Sequence, residues 1–340
     1  MLTNASDAQT RMYNLRSLLI FLVVTMNMLE PIAKNHESIG GIYTLVFTFH
    51  MPLFVFVTGY FAGKQALRNI LPVIAYQYTV FQSLYCILDL IFFQMQKDVY
   101  SYFIPYAFLW FLFSHIGWRI MLHFIEKLNH PVAASIGIGL VSGFLPLHSM
   151  WMSLSQMLFF LPFYVIGHQM SCHPSSVNAF KSRAIRWTAL PIMALGFAAV
   201  KLSFSFAVLS SLTGLDFYHE DHLSFASGIG LRSLTYMLEI FMSAAVLSLI
   251  SHKKSRITDA GKRTLYVYLL HALIVRTLIR LHIFETFDTV LEWLSIPLIA
   301  AAIVALLSSR KVEFFLQHMM EPPFLKGPVL KNWLVKVKPH

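Results

Sequence analysis

Residues 16–33 read RSLLIFLVVTMNMLEPIA, and residues 41–64 read GIYTLVFTFHMPLFVFVTGYFAGK. Each run has about the length an α-helix needs to cross a bilayer. Each also holds groups that hydrocarbon does not solvate: Arg16, Asn27 and Glu30 in the first, His50 in the second. Ionisable side chains at such depth face a protein interior, a partner or a water-filled cavity. The pair therefore sets the fold class and supplies the first candidates for a functional site.

Composition agrees. The chain has 340 residues, of which 57% are hydrophobic and 12% charged, where soluble domains carry about twice that charged fraction. The aromatic share, 15% with 30 Phe, suits lipid-facing and interfacial surfaces. The net charge of +10 belongs to loops, so it does not argue for nucleic acid as a partner. Cys86 and Cys172 lie far apart without metal-ligand spacing, and read as free thiols. No metal is expected.

Ten spans follow, near 15–33, 41–62, 70–95, 103–123, 132–147, 152–170, 185–210, 229–251, 263–283 and 294–309. All are read as helices, because in lipid only helices and closed barrels satisfy their backbone groups. The expectation is an all-α integral membrane protein with about ten transmembrane helices in a single bundle. Residues 1–14 read as a cytoplasmic N-terminal segment, 15–309 as the transmembrane domain and 310–340 as a basic cytoplasmic tail. The fifth span is short and holds Gly137, Gly139 and Gly143.

Every second loop is basic. Lys64 and Arg68, Arg119 and Lys127, Lys181 with Arg183 and Arg186, and Lys253 to Arg263 mark one side, and Arg310 opens the basic tail. The alternate loops include Asp216, Glu220 and Asp221, and Glu285, Asp288 and Glu292. By the positive-inside rule, both termini should be cytoplasmic in a multi-pass protein of the plasma membrane. The tail lysines and Trp333 should rest on anionic membrane lipid.

Counting from Arg16 at a rise of ~1.5 Å per residue puts Asn27 about 16 Å along the helix, near mid-bilayer, with Glu30 on the same face. His50, His271 and Glu239 fall at similar depth, with Arg232 above Glu239. Each has a plain structural reading. His50 precedes Met51-Pro52, where a proline bends the helix and frees a carbonyl. Asn27 and Glu30 can join helices by hydrogen bonds, and Arg16 can anchor at the interface. His271 can simply pack among leucines, and Trp110 reads as core or interfacial belt. The functional reading makes the histidines bases or substrate ligands near neutral pH.

Five stretches come in the order of a known family: NLRSLLIFLVV (14–24), FTFHMPLFVFVTGYF (47–61), LWFLFSHIGWRI (109–120), FFLPFYVIGH (159–168) and AGKRTLYVYLLHALIV (260–275). The chain resembles the acyltransferase-3 family of integral membrane acyltransferases, within it the branch similar to fucose 4-O-acetylases. The resemblance implies a ten-helix enzyme moving an acyl group, usually acetyl from cytoplasmic acetyl-CoA, onto a hydroxyl of a cell-surface or lipid-linked glycan. One position departs. The family's first helix carries a basic residue, ten intervening residues and a histidine; here Arg16 fits, but Asn27 stands at the histidine position. Asparagine is no general base near neutral pH.

Such a transfer needs a base, an oxyanion donor and a hold on the donor's phosphates. The expected catalytic residues are His50 as base, with Asn27 as a neutral donor near the carbonyl oxygen and Glu30 as an alternative base. Arg16, Lys253, Lys254 and Arg263 should engage the CoA. His271, Glu239, Arg232 and Trp110 should line the acceptor cavity. Two other readings stay open: a catalytically silent family member in a glycan-assembly complex, and a small-anion carrier. A carrier predicts inverted repeats with broken helices, and the sequence shows no repeat. Oligomeric state is not set by the sequence.

Overall fold

A computed structural model describes residues 2–33, 36–63, 66–94, 100–145, 151–173, 183–202, 212–213, 224–284, 287 and 289–320. The acidic loops at 214–223 and at Glu285 and Asp288, the loop lysines Lys64 and Lys181, and the tail beyond residue 320 lie outside the described residues.

The protein is all-α: among the described residues there are twelve α-helices and no strand beyond an isolated bridge. They are α1 (Leu2–Ala33), α2 (Glu37–Ala62), α3 (Leu67–Leu88), α4 (Trp110–Ile125), α5 (Pro131–Val141), α6 (Leu154–Cys172), α7 (Arg183–Leu202), α8 (Phe225–Leu249), α9 (Arg256–Lys262), α10 (Thr264–Arg280), α11 (Val290–Leu307) and α12 (Arg310–Met320). Ten of them answer the ten expected spans in order. The additions are α9, a short capped helix before α10, and α12 after the last span. Six helices, α1 to α4, α8 and α11, are long and apolar enough to cross a membrane. The fifth, at 11 residues plus a 3-10 turn, stays short where the glycines fall.

Contacts show which helix ends lie together. Arg16 of α1 sits over Phe61 at the end of α2. Arg119, late in α4, donates to the Ala62 carbonyl. Arg11 donates to the Leu247 carbonyl at the end of α8 (2.6 Å), and Asn14 to the Ser251 and Lys253 carbonyls beyond it. Gly261 of α9 has no room for a Cβ against the Tyr13 carbonyl. All these groups mark one end of the bundle, the basic end. The N-terminal half of α1 is thus clamped by α8 and α9. That explains why helix continues through residues 2–14, beyond the expected start at 15: the helix has a partner surface there.

The tightest packing joins α2 to α6. A Cβ added to Gly59 would strike the Tyr164 carbonyl, and one added to Gly167 would strike the carbonyl of Phe56. Glycine lets two backbones meet where side-chain burial between helices has little hydrophobic driving force. The core between the helices is largely aromatic, with Phe81, Tyr85, Tyr106, Trp118, Phe159, Phe160 and Tyr164 all fully buried.

Candidate active site

The packing of α1 against α2 places the central groups. The Arg16 guanidinium lies 5.3 Å from the centre of the Phe61 ring, and the two helices run in opposite directions. Eleven residues onward along α1 is Asn27; eleven residues back along α2 is His50. Eleven residues turn an α-helix through just over three full turns, so Asn27 shares the face of Arg16 and His50 the face of Phe61. Helical geometry thus sets Asn27 and His50 level, about 16 Å above the Arg16–Phe61 contact.

Each bonds within its own helix. The Asn27 Nδ2 donates to the Val23 carbonyl (2.8 Å), which leaves its second amide hydrogen for a ligand. The His50 Nδ1 lies 2.9 Å from the Val46 carbonyl. A carbonyl only accepts, so Nδ1 carries the proton and Nε2 keeps its lone pair, the tautomer that can receive a proton. The residue is 2% exposed, with the Phe47 ring edge-on at 4.4 Å. Glu30, one turn above Asn27, lies in electrostatic reach of Tyr43.

From His50 an aromatic chain runs through the interior. Phe54, one turn on, meets Phe111 at 5.1 Å; Phe111 meets Tyr268 at 5.8 Å; Tyr268 and Phe108 flank His271. The His271 Nδ1 donates to carbonyls of Val267 and Tyr268, while its Nε2 is buried without a partner. The structure therefore brings His50 and His271 to one aromatic wall without direct contact. Trp110 stacks on Phe160 (5.8 Å) as part of this wall.

Glu239 and Arg232 both stand on α8. Both Glu239 carboxylate oxygens are buried without a hydrogen-bond partner. Arg232, two turns away on α8, donates to the Gly139 carbonyl (2.9 Å) and Ser142 Oγ (3.0 Å) and covers the Phe159 ring. The helix that carries them packs against α2: Ser243, one turn past Glu239, lines a small cavity with Pro52 and Leu53, just beyond His50.

Among the expected donor-binding cations, Lys253 and Lys254 are exposed at the basic end. Arg263 differs: its Nε pairs with Glu313 of α12 at 2.6 Å. It ties α12 to the start of α10, which leaves it less available to a ligand. At this end His115 was not singled out from the sequence, and Arg119 was read only as a mark of the basic side. His115 lies in electrostatic reach of both Arg16 and Arg119. The signal was present in LWFLFSHIGWRI, where Phe111, His115 and Arg119 recur every fourth residue and so share a helix face. Among the described residues no three His, Cys, Asp or Glu side chains gather as a metal-binding group.

An acyltransferase-domain family matches residues 11–308, nearly the whole bundle. The chain belongs to the acyltransferase-3 family. No match was found among curated proteins or among solved structures. Arg16, Asn27, His50, His115 and His271 all fall inside the matched region of this membrane acyltransferase.

Proposed function

We propose that the acyltransferase moves acetyl from cytoplasmic acetyl-CoA to a hydroxyl of a cell-surface or lipid-linked glycan, as members resembling fucose 4-O-acetylases do. The observation that carries this reading is the alignment of Arg16 and Phe61 at the basic end with Asn27 and His50 about three turns above them. Among the described residues the Arg16 guanidinium makes no hydrogen bond or ion pair; it lies over the Phe61 ring and in electrostatic reach of Tyr13 and His115. It is a cation available to a phosphate or pantetheine oxygen, with His115 beside it and Lys253 and Lys254 on the adjoining surface. The aromatic wall leads from there to His50.

In the transfer, the acceptor oxygen attacks the thioester carbonyl carbon and the C–S bond breaks. The hydroxyl proton passes to His50 Nε2 and then to the departing thiolate. The free amide hydrogen of Asn27 supports the developing oxyanion as a neutral donor. The basic end faces the cytoplasm of the plasma membrane in this reading, which follows the positive-inside rule.

A catalytically silent member within a glycan-assembly complex is the second reading. Asn27 favours it, since the amide stands where the family carries a histidine. Mass spectrometry of surface glycans from cells with and without the gene separates the two. Acetyl mass differences that vanish with the gene support transfer; identical glycans support silence.

A further inference from the structure

At the end opposite Arg16, the last turn of α3 widens into a π turn over Asp89–Phe93, a feature frequent at functional sites. Asp89 is fully buried there. Its Oδ2 accepts from the Tyr100 hydroxyl (2.8 Å) and its Oδ1 from that of Tyr106 (2.7 Å). The guanidinium of Arg276, from α10, covers the Tyr106 ring at 5.8 Å. Tyr100 is 38% exposed, so the cluster reaches the surface.

We infer that Asp89, Tyr100, Tyr106 and Arg276 form a sugar-binding site that receives the acceptor from the side opposite the donor. This rests on the acyl-transfer reading for its role, though not for its chemistry. A sugar ring offers adjacent hydroxyls that both donate and accept, and an apolar face that lies on an aromatic ring. The cluster offers a carboxylate, phenols and a forked guanidinium around stacked rings, which matches both features.

The ordinary alternative is an interfacial belt of aromatics. A belt alone does not set a carboxylate between two phenols beside a guanidinium, as Asp89 stands between Tyr100 and Tyr106 near Arg276. The loop bearing the two tyrosines is also held in advance. Gln82 Nε2 donates to the Ser101 and Ile104 carbonyls (both 2.9 Å), and its Oε1 accepts from the Tyr106 N–H (2.8 Å). Gln94 and Ala107, either side of it, hold left-handed backbone at φ 52° and 38°, a conformation that persists where surroundings over-determine it. From the cluster the rings continue inward. Tyr106 stacks on Tyr85 (5.5 Å), Tyr85 meets Phe108 (5.0 Å), and Phe108 meets His271 (5.1 Å). The sugar site thus joins the wall that ends at His50.

The test is saturation-transfer NMR on the full chain in detergent, with methyl glycosides of fucose, rhamnose, galactose and glucose as probes and no acyl donor. At least one glycoside should receive saturation from the wild type. Arg276→Gln should weaken that binding about tenfold and Tyr100→Phe about threefold, with Arg16→Ala unchanged. Tyr100→Phe removes only one hydroxyl from a part-exposed ring, so it decides the matter if Arg276→Gln does not fold. No transfer to any probe, or binding indifferent to Tyr100→Phe, overturns the inference. Binding without acetylation once acetyl-CoA is added would keep the sugar site and instead sink the acyl-transfer reading.

Discussion

At the basic end, Arg16 lies over Phe61 near His115 and Arg119, with no carboxylate bonded to its guanidinium. At the far end, the buried carboxylate of Asp89 accepts from two phenols beside Arg276. The first arrangement suits a polyanion, because cations dominate it. The second suits a neutral polyol, because donors and acceptors are balanced. Tyr85, Phe108, Tyr268, Phe111 and Phe54 carry an aromatic wall from the far end past His271 to the turn beside His50, and Trp118 and Tyr164 continue it from Phe111 to His115 at the basic end. The difference teaches that the two substrates of an acyl transfer can meet inside the bundle while approaching from opposite ends.

The comparison breaks first at its middle. His50→Ala should lower glycan acetylation by ~100–10,000-fold, the usual loss of a general base, with the protein still inserted. Acetylation at the wild-type rate would mean the wall carries no proton acceptor at His50, and would move suspicion to Glu30 or His271.

A smaller effect sharpens the basic end. Arg16→Ala should raise KM for acetyl-CoA about 10–100-fold, the range for losing a charge-assisted hydrogen bond. KM for the acceptor should stay put. Equal changes in both constants would make Arg16 a structural anchor and erase the contrast between the ends.

Packing sets the third effect. Gly167→Ala pushes a methyl group into the Phe56 carbonyl, so α2 must shift away from α6. Overpacking of this kind costs about 1–3 kcal/mol, seen as a lower midpoint in thermal unfolding. Because α2 carries His50, transfer should fall as well. An unchanged midpoint would show that the two helices are less tightly joined than the backbone contact implies.

The smallest effect concerns Arg263. Its guanidinium is held by Glu313, so Arg263→Ala should leave KM for acetyl-CoA within about twofold and reduce stability by up to about 1 kcal/mol. A donor KM raised as far as in Arg16→Ala would return Arg263 to the phosphate site and extend the basic end to α12.

The architecture was legible in the sequence because hydrophobic length alone specifies membrane helices, and the ten expected spans have helices in order. Helix extent was legible only where lipid defines it. The N-terminal turns of α1 and the short α9 are held by Arg11, Asn14 and Gly261 contacts, and such long-range pairs leave no periodic mark. Depth was readable for Asn27 and His50, since residue count gives height. Rotation was not: that Arg232 turns to the Gly139 carbonyl and the Phe159 ring could not be counted from the sequence. His115 was hidden inside a stretch whose aromatic content read as core. Asp89 was hidden inside the expected span 70–95, because the phenols that bond it, Tyr100 and Tyr106, come from beyond that span.

One measurement tests the central claim, that the proton is taken at the level shared by Asn27 and His50. Acetyl transfer from labelled acetyl-CoA to glycan is measured for the wild type, His50→Ala and the double variant His50→Ala with Asn27→His. The account predicts near-total loss in His50→Ala and substantial recovery in the double variant, because the new imidazole stands level with the one removed. Full activity in His50→Ala, or no recovery in a double variant that is correctly inserted, would contradict it.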